Sequence, residues 1–158
     1  MAERIVLDTG PILALACADA LNPIGDLPID FVAPIEVRDE LEEGVRRGYP
    51  AAAATWLRFA KLTAAVSPLA IAELDRGEAS VIQLALDQRI PIVGIDERRG
   101  RRAAAAVGLR VTGTLGLLGR AKVQGVVSVV RPYVDRMQMK GVWFDQELLA
   151  RFLRQLGE

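Results

Sequence analysis

The sequence contains no histidine. That absence removes the Ser-His-Asp triad, the Cys-His pair, a histidine general base and any zinc site that relies on imidazole. There is a single cysteine, Cys17, so no internal disulfide can form and a thiolate zinc site is excluded too. Within Leu13-Ala14-Leu15-Ala16-Cys17-Ala18 it reads as a small buried hydrophobe. Neither sign of charge is in excess. Twenty basic and 20 acidic residues cancel, so any nucleic-acid surface has to come from local segregation. Aromatics make up only 5%. Alanine, leucine and valine dominate instead, which favours helices packed on a Val/Ile-rich sheet. No apolar run approaches membrane-spanning length, and Glu3 and Arg4 precede a short strand rather than a secretion signal. A cytoplasmic protein with no membrane association is expected.

What remains is enough to build on. With 158 residues, 51% of them apolar, the chain suffices for one domain with a real core. Carboxylates are the obvious side chains left for catalysis, and their oxygens select hard ions such as Mg²⁺ or Mn²⁺.

The pattern alternates strands and helices. Arg4-Ile5-Val6-Leu7 is a strand that ends on Asp8-Thr9-Gly10, and Pro11 suits the first position of a helix running to Ala20. Asn22-Pro23, Gly25-Asp26 and Pro28 read as a loop, and Phe31-Val32-Ala33 as a second strand. Pro34 begins a helix in which Val37, Leu41 and Val45 form the buried stripe. Pro50 opens an alanine-rich helix to about Lys61, and Leu62 to Val66 reads as a strand. A helix runs from Glu78 to about Gln88. Ile90 to Ile95 is the second clear apolar strand, ending on Asp96, and a helix then continues to Val107. Leu109-Arg110-Val111 is a short last strand. Helices are expected from Thr114 to Gln124, from Val129 to Met139 and after Asp145, the last with Leu149, Phe152, Leu153 and Leu156 as its stripe. Such alternation predicts an α/β fold with a mostly parallel sheet covered on both faces. The division expected is an α/β core over 1–112 and a helical segment over 113–158 packed on the same domain.

Asp8-Thr9-Gly10 is the tripeptide of aspartic proteases, which hold two such acids in an all-β setting. Here it occurs once and is followed by alanine and leucine at helical spacing, which argues against that reading. Asp8 and Asp96 end the two most apolar strands, and in a parallel sheet such ends share one edge. Aspartate before a helix is also a favoured cap, which by itself accounts for Asp96. Glu78 continues the stripe of Val81, Ile82 and Ala85, where a charge is expensive unless paired or bound to metal. A capping box between Asp75 and Glu78 accounts for it equally well. In Glu36-Val37-Arg38-Asp39-Glu40-Leu41-Glu42-Glu43, Glu40 and Glu42 flank the buried stripe alike, and periodicity does not choose between them. The run Arg98, Arg99, Arg101, Arg102 is either a solvated helix face or a set of phosphate contacts beside an acidic metal site.

Taken together, the chain resembles a PIN domain, the fold of the VapC-type toxin ribonucleases and of other metal-dependent nucleases. The residues carrying the resemblance are Val6-Leu7-Asp8-Thr9, Pro34 to Leu41, Asp75-Arg76-Gly77-Glu78-Ala79 and Val93-Gly94-Ile95-Asp96. Gly77-Glu78-Ala79-Ser80, Val111-Thr112-Gly113-Thr114 and the helical tail look like one prokaryotic PIN-like branch. The resemblance implies a PIN-like three-layer fold with a C-terminal helical extension. It places the family's catalytic and metal-binding acids on Asp8, Glu40, Glu78 and Asp96, with Thr9 as the supporting hydroxyl. It also implies an Mg²⁺- or Mn²⁺-dependent endoribonuclease acting on RNA, a homodimer and a small antitoxin partner. One departure is Gly94, where many toxin-type members carry Ser or Thr. The alternative is a non-catalytic module that keeps the fold and binds RNA or a protein partner.

Overall fold

The first apolar segment forms the middle strand of a five-stranded sheet. A computed structural model describes residues 2–158. In chain order the elements are β1 (Glu3–Leu7), α1 (Thr9–Cys17), α2 (Leu21–Gly25), β2 (Ile29–Pro34), α3 (Ile35–Arg46), β3 (Leu57–Ala60) and α4 (Pro68–Glu73). They continue with α5 (Arg76–Gln88), β4 (Ile92–Gly94), α6 (Arg98–Ala106), β5 (Arg110–Thr112), α7 (Thr114–Val123), α8 (Arg131–Met139) and α9 (Gln146–Gln155).

The strand order is β3-β2-β1-β4-β5, and every pairing is parallel. Successive residues of a strand face opposite sides of a sheet. Ile5, Val6 and Leu7 are all fully buried, so helices cover both faces of β1. The expected α/β architecture is therefore present. From β1 the chain builds outward through β2 and β3, then crosses back to place β4 and β5 on the other side. That reversal between β1 and β4 is the topological switch point, where a crevice opens beyond the carboxyl ends of the strands. The last three helices share one apolar cluster with the sheet, in which Leu117, Leu118, Val134, Met137, Leu149 and Leu153 join Ile5 and Leu15. Among the described residues no helix is long and apolar enough to cross a membrane.

The structure corrects several local expectations. The segment after Pro50 is not a helix. Trp56 packs edge-on against Phe31, with ring centroids 5.0 Å apart, and lies so close over Gly25 that a side chain there would overlap it. This pins the segment to the sheet, and Leu57–Ala60 pair with Phe31–Pro34 as β3. Tertiary packing thus overrides the helical preference of alanine. Leu62–Val66 is not a strand, because its neighbour β2 ends at Pro34 and turns into α3, leaving it nothing to pair with. Within the expected loop after Ala20, Leu21–Gly25 forms the single-turn α2, held by the buried Ile24. Helix α1 begins at Thr9, so Pro11 is its third residue, still among the first four whose N–H groups lack a helical acceptor. Val37 and Leu41 are buried as expected, but Val45 lies on the surface.

Candidate active site

The site is assembled on the carboxyl end of β1. The last β1–β4 pair is Leu7 with Gly94, and the Asp8 N–H then donates to the Gly94 carbonyl at 2.9 Å. A Cβ on Gly94 would come within 2.6 Å of Leu7 Cδ2, so close strand packing accounts for glycine at this position. Asp8 has extended backbone and caps α1, its carboxylate accepting from the Thr9 N–H at 2.8 Å. It is only 7% exposed.

Two helices bring further acids to this buried carboxylate. Helices α3 and α5 pack on each other, and Gly77 at the start of α5 faces Glu40 on α3. A Cβ at Gly77 would fall on the Glu40 carboxylate, so glycine is what lets the two approach. The Thr9 hydroxyl donates to Glu40 Oε2 at 2.5 Å, and the Gly77 backbone lies against the same carboxylate. The choice that periodicity left open is thereby made: Glu40 faces Thr9, whereas Glu42 is exposed beside Arg38. Glu78, 1% exposed, is one turn along the stripe from the buried Val81 and Ile82. The capping box is also present. The Glu78 N–H donates to Asp75 Oδ1 at 2.7 Å, and the Asp75 N–H donates back to Glu78 Oε2 at 3.3 Å. Cap and site are one arrangement, in which the box fixes the rotamer of a carboxylate that also feels Asp8.

The electrostatics follow from this burial and from the neighbouring acids. Burial pushes the Asp8 pKa up to about 7, opposed by the Thr9 amide and reinforced by the charges of Asp75, Glu40 and Glu78. Burial likewise raises Glu40, against the Thr9 hydroxyl, with the Asp75 charge adding to it. Glu78 is raised by burial and then by Asp75. Asp75 is thus a member of the cluster that sequence reasoning treated only as a cap. Its signal was the same DRGE run, since a cap residue three positions before a buried acid is held beside it.

Asp96 follows a different course. It is exposed, and it caps α7 rather than α6: its Oδ1 accepts from the Thr114 N–H at 2.8 Å and its Oδ2 from the Thr114 hydroxyl at 2.5 Å. Thr114 is 1% exposed and was not among the expected site residues, although the Val111-Thr112-Gly113-Thr114 run carried part of the resemblance. Arg101 is turned inward, donating to the Ile95 carbonyl at 2.8 Å, and it flanks Gly113 together with Asp96. Arg98, Arg99 and Arg102 are exposed and form no ion pair among the described residues. Arg99 is near enough to Glu78 to act on its charge, so the start of α6 borders the acids.

Among the described residues no three carboxylates converge in metal-holding geometry. Each is engaged instead, Glu40 by Thr9, Glu78 by Asp75 and Asp96 by Thr114. The donor set nevertheless fits a hard divalent cation. Its ligands are all oxygen, and Asp8, Glu40 and Glu78 have their pKa values raised by burial and by neighbouring acids. A cation beside such a cluster would act against those shifts and favour its charged form.

No curated protein and no solved structure matches the chain. The model of one family, described as a PIN domain, matches residues 4–158. PIN domains are generally nucleases, and those nucleases generally use divalent metals. With nearly the whole chain matched and an all-parallel sheet placing buried acids at its switch point, the chain belongs to the PIN-domain family, a nuclease-type fold.

Proposed function

We propose that this protein is a divalent-metal-dependent endoribonuclease of toxin–antitoxin type. The observation that supports this most strongly is the burial of Asp8 and Glu78 at the carboxyl edge of the sheet, with Glu40 tied to Thr9 beside them and the neighbouring acids raising the Asp8 pKa. An ion-paired structural acid has the opposite shift. Such a cluster is costly for folding alone and is matched to holding Mg²⁺ or Mn²⁺.

In this reading Asp8, Glu40 and Glu78 hold the cation, and Asp96 joins them from the next strand. A cation held there would supply Lewis-acid polarisation of a phosphate and a more acidic water. Thr9 keeps Glu40 oriented through its hydroxyl, and the capping box keeps Glu78 from rotating away. Arg98, Arg99 and Arg102 bind flanking phosphates along the strand, with Arg101 bracing the Asp96 turn. An RNA substrate, a homodimer, a small antitoxin protein and a cytoplasmic setting belong to the same proposal. Purified protein with Mg²⁺ or Mn²⁺ should cut RNA, and Asp8→Ala should abolish that cutting while circular dichroism shows the fold retained. Equal cleavage by both proteins overturns the reading.

A second reading is a non-catalytic module that binds RNA or a protein partner. It is favoured by one observation, the commitment of Glu78 and Asp96 to helix caps. Calorimetric titration with Mn²⁺ separates the two, because the module gives no binding heat that depends on Asp8.

A further inference from the structure

Asp96 is the most exposed of the four acids, yet the residue that holds it is buried. Thr114 is 1% exposed and lies 18 positions downstream, beyond α6 and β5. Its N–H donates to Asp96 Oδ1 at 2.8 Å and its hydroxyl to Oδ2 at 2.5 Å. Capping needs only the first of these. A cap satisfies a backbone N–H, and Asp96 does so for α7 because the N-cap residue itself, Gly113, has no side chain. The hydroxyl bond adds nothing to the cap. One hydrogen bond leaves a carboxylate free to turn about it, whereas a bond on each oxygen fixes its plane.

Two other groups close in on Asp96. A Cβ on Gly113 would come within 2.5 Å of Asp96 Oδ1, so backbone walls the carboxylate on that side. Arg101 donates to the carbonyl of Ile95, the residue before Asp96, and steadies the turn. A carboxylate has about four acceptor sites, and Thr114 takes one on each oxygen. The exposure of Asp96 leaves the others open.

The same device recurs across the acids. Thr9 is the first residue of α1, and its hydroxyl donates at 2.5 Å to Glu40, an acid from a distant helix. Thr114 is the first residue of α7 and does likewise for the acid that follows β4. Three of the acids also lie against glycine backbone, Glu40 at Gly77, Glu78 at Gly100 and Asp96 at Gly113. Carboxylates that ligate metal are themselves held by hydrogen bonds, which orient them before the ion binds.

We infer that Thr114 is a positioning residue that fixes the plane of Asp96, so that the acceptor sites left open on its oxygens serve a divalent cation. The inference rests on the reading of these acids as a metal-holding nuclease site. Thr114 touches neither cation nor RNA and acts only through Asp96. The cap on α7 is then part of the metal site and not an alternative to it.

Calorimetric titration with Mn²⁺ reads this role without RNA, with Tm measured on each preparation. Thr114→Val keeps the size and the amide and removes the hydroxyl, and water reaches the exposed Asp96 in its place. Its Mn²⁺ affinity should fall roughly 10–100-fold, the usual cost of losing a group that orients a ligand. Thr114→Ser keeps the hydroxyl and should bind Mn²⁺ as the parent does. Adding Thr114→Val to Asp96→Asn should cost nothing further, because nothing is left to position. Gly113→Ala, at an extended backbone position, presses on Asp96 from the other side and should also lower the affinity. Parent-like Mn²⁺ binding by Thr114→Val or by Gly113→Ala overturns the inference. So does a loss that serine fails to restore, or one that persists in full beside Asp96→Asn. Mn²⁺ binding that depends on Asp8 but is indifferent to Thr114→Val overturns this inference alone. Thr114-dependent binding by a protein that cuts no RNA overturns the nuclease reading alone, and no binding heat in the parent overturns both.

Discussion

Replacing Asp8 by asparagine should stabilise the metal-free protein, and the size of the effect follows from its surroundings. The Asp8 pKa is raised from 3.8 to about 7 in the native state, chiefly by burial. The native protein therefore holds a proton that the unfolded chain releases near pH 4. The stabilisation is fully present below the unfolded pKa and is lost as pH rises through about 7. At about 1.4 kcal/mol per pKa unit the full span is on the order of 4 kcal/mol. Between pH 5 and pH 8 roughly 2–3 kcal/mol of it disappears. Glu40 and Glu78 are also raised, so they act with the same sign. Asparagine fits the space, keeps an oxygen for the Thr9 N–H and does not titrate. Urea denaturation in the presence of a chelator, at pH 5 and at pH 8, measures the difference. The parent protein should lose stability across that interval, and Asp8→Asn should show a much flatter profile and be the more stable of the two at pH 8. Saturating Mg²⁺ should restore the parent and leave the variant unmoved. Parallel pH profiles for the two proteins would refute the electrostatic argument, whatever the activity assays show.

Two further substitutions separate stability from function. Gly77→Ala should leave thermal stability within about 1 kcal/mol, since alanine is the better helix residue, yet it drives a methyl group into the Glu40 carboxylate. Displacing Glu40 by a fraction of an ångström should lower kcat/KM for RNA by roughly 10–100-fold, read in the same preparation as its Tm. Arg98→Ala combined with Arg99→Ala should weaken RNA binding uniformly across sequences and flatten its salt dependence by up to about two units of logarithmic slope. An unchanged slope would mean that this helix face is merely solvated.

The sequence spoke most clearly where a strand ended or a charge broke a stripe. Asp8 and Glu78 stood out for those reasons, and the structure buries both. Glu40 was not separable from Glu42 by helical period, because the two flank the buried line alike. The deciding contact, a hydroxyl 31 positions away in the chain, has no local trace. Asp75 escaped notice because its capping role accounted for it fully. Asp96 was placed correctly at a strand end, but its partner is Thr114, across a helix and a strand. The largest misreading, an alanine-rich helix where β3 runs, has the same origin. Alanine carries little pattern, and the segment is held by Trp56 on Phe31, a contact that only the folded chain makes.

The central position of β1 has a further consequence. It is paired along both edges and covered on both faces, so the residues that anchor the acids belong to the least accessible part of the molecule. A cavity of about 610 Å³ lined by Glu36 of α3 and Arg76 of α5 is bounded on one side by Leu62–Val66, which has no strand partner and is largely exposed. The two halves are thus under unequal constraint. Change near β1 is felt through every neighbouring strand, whereas change in that segment costs the fold little. A chain built this way can vary in a few surface residues of that segment while the buried acids at the edge of β1 stay in place. Variation in that segment then needs no remodelling of the scaffold.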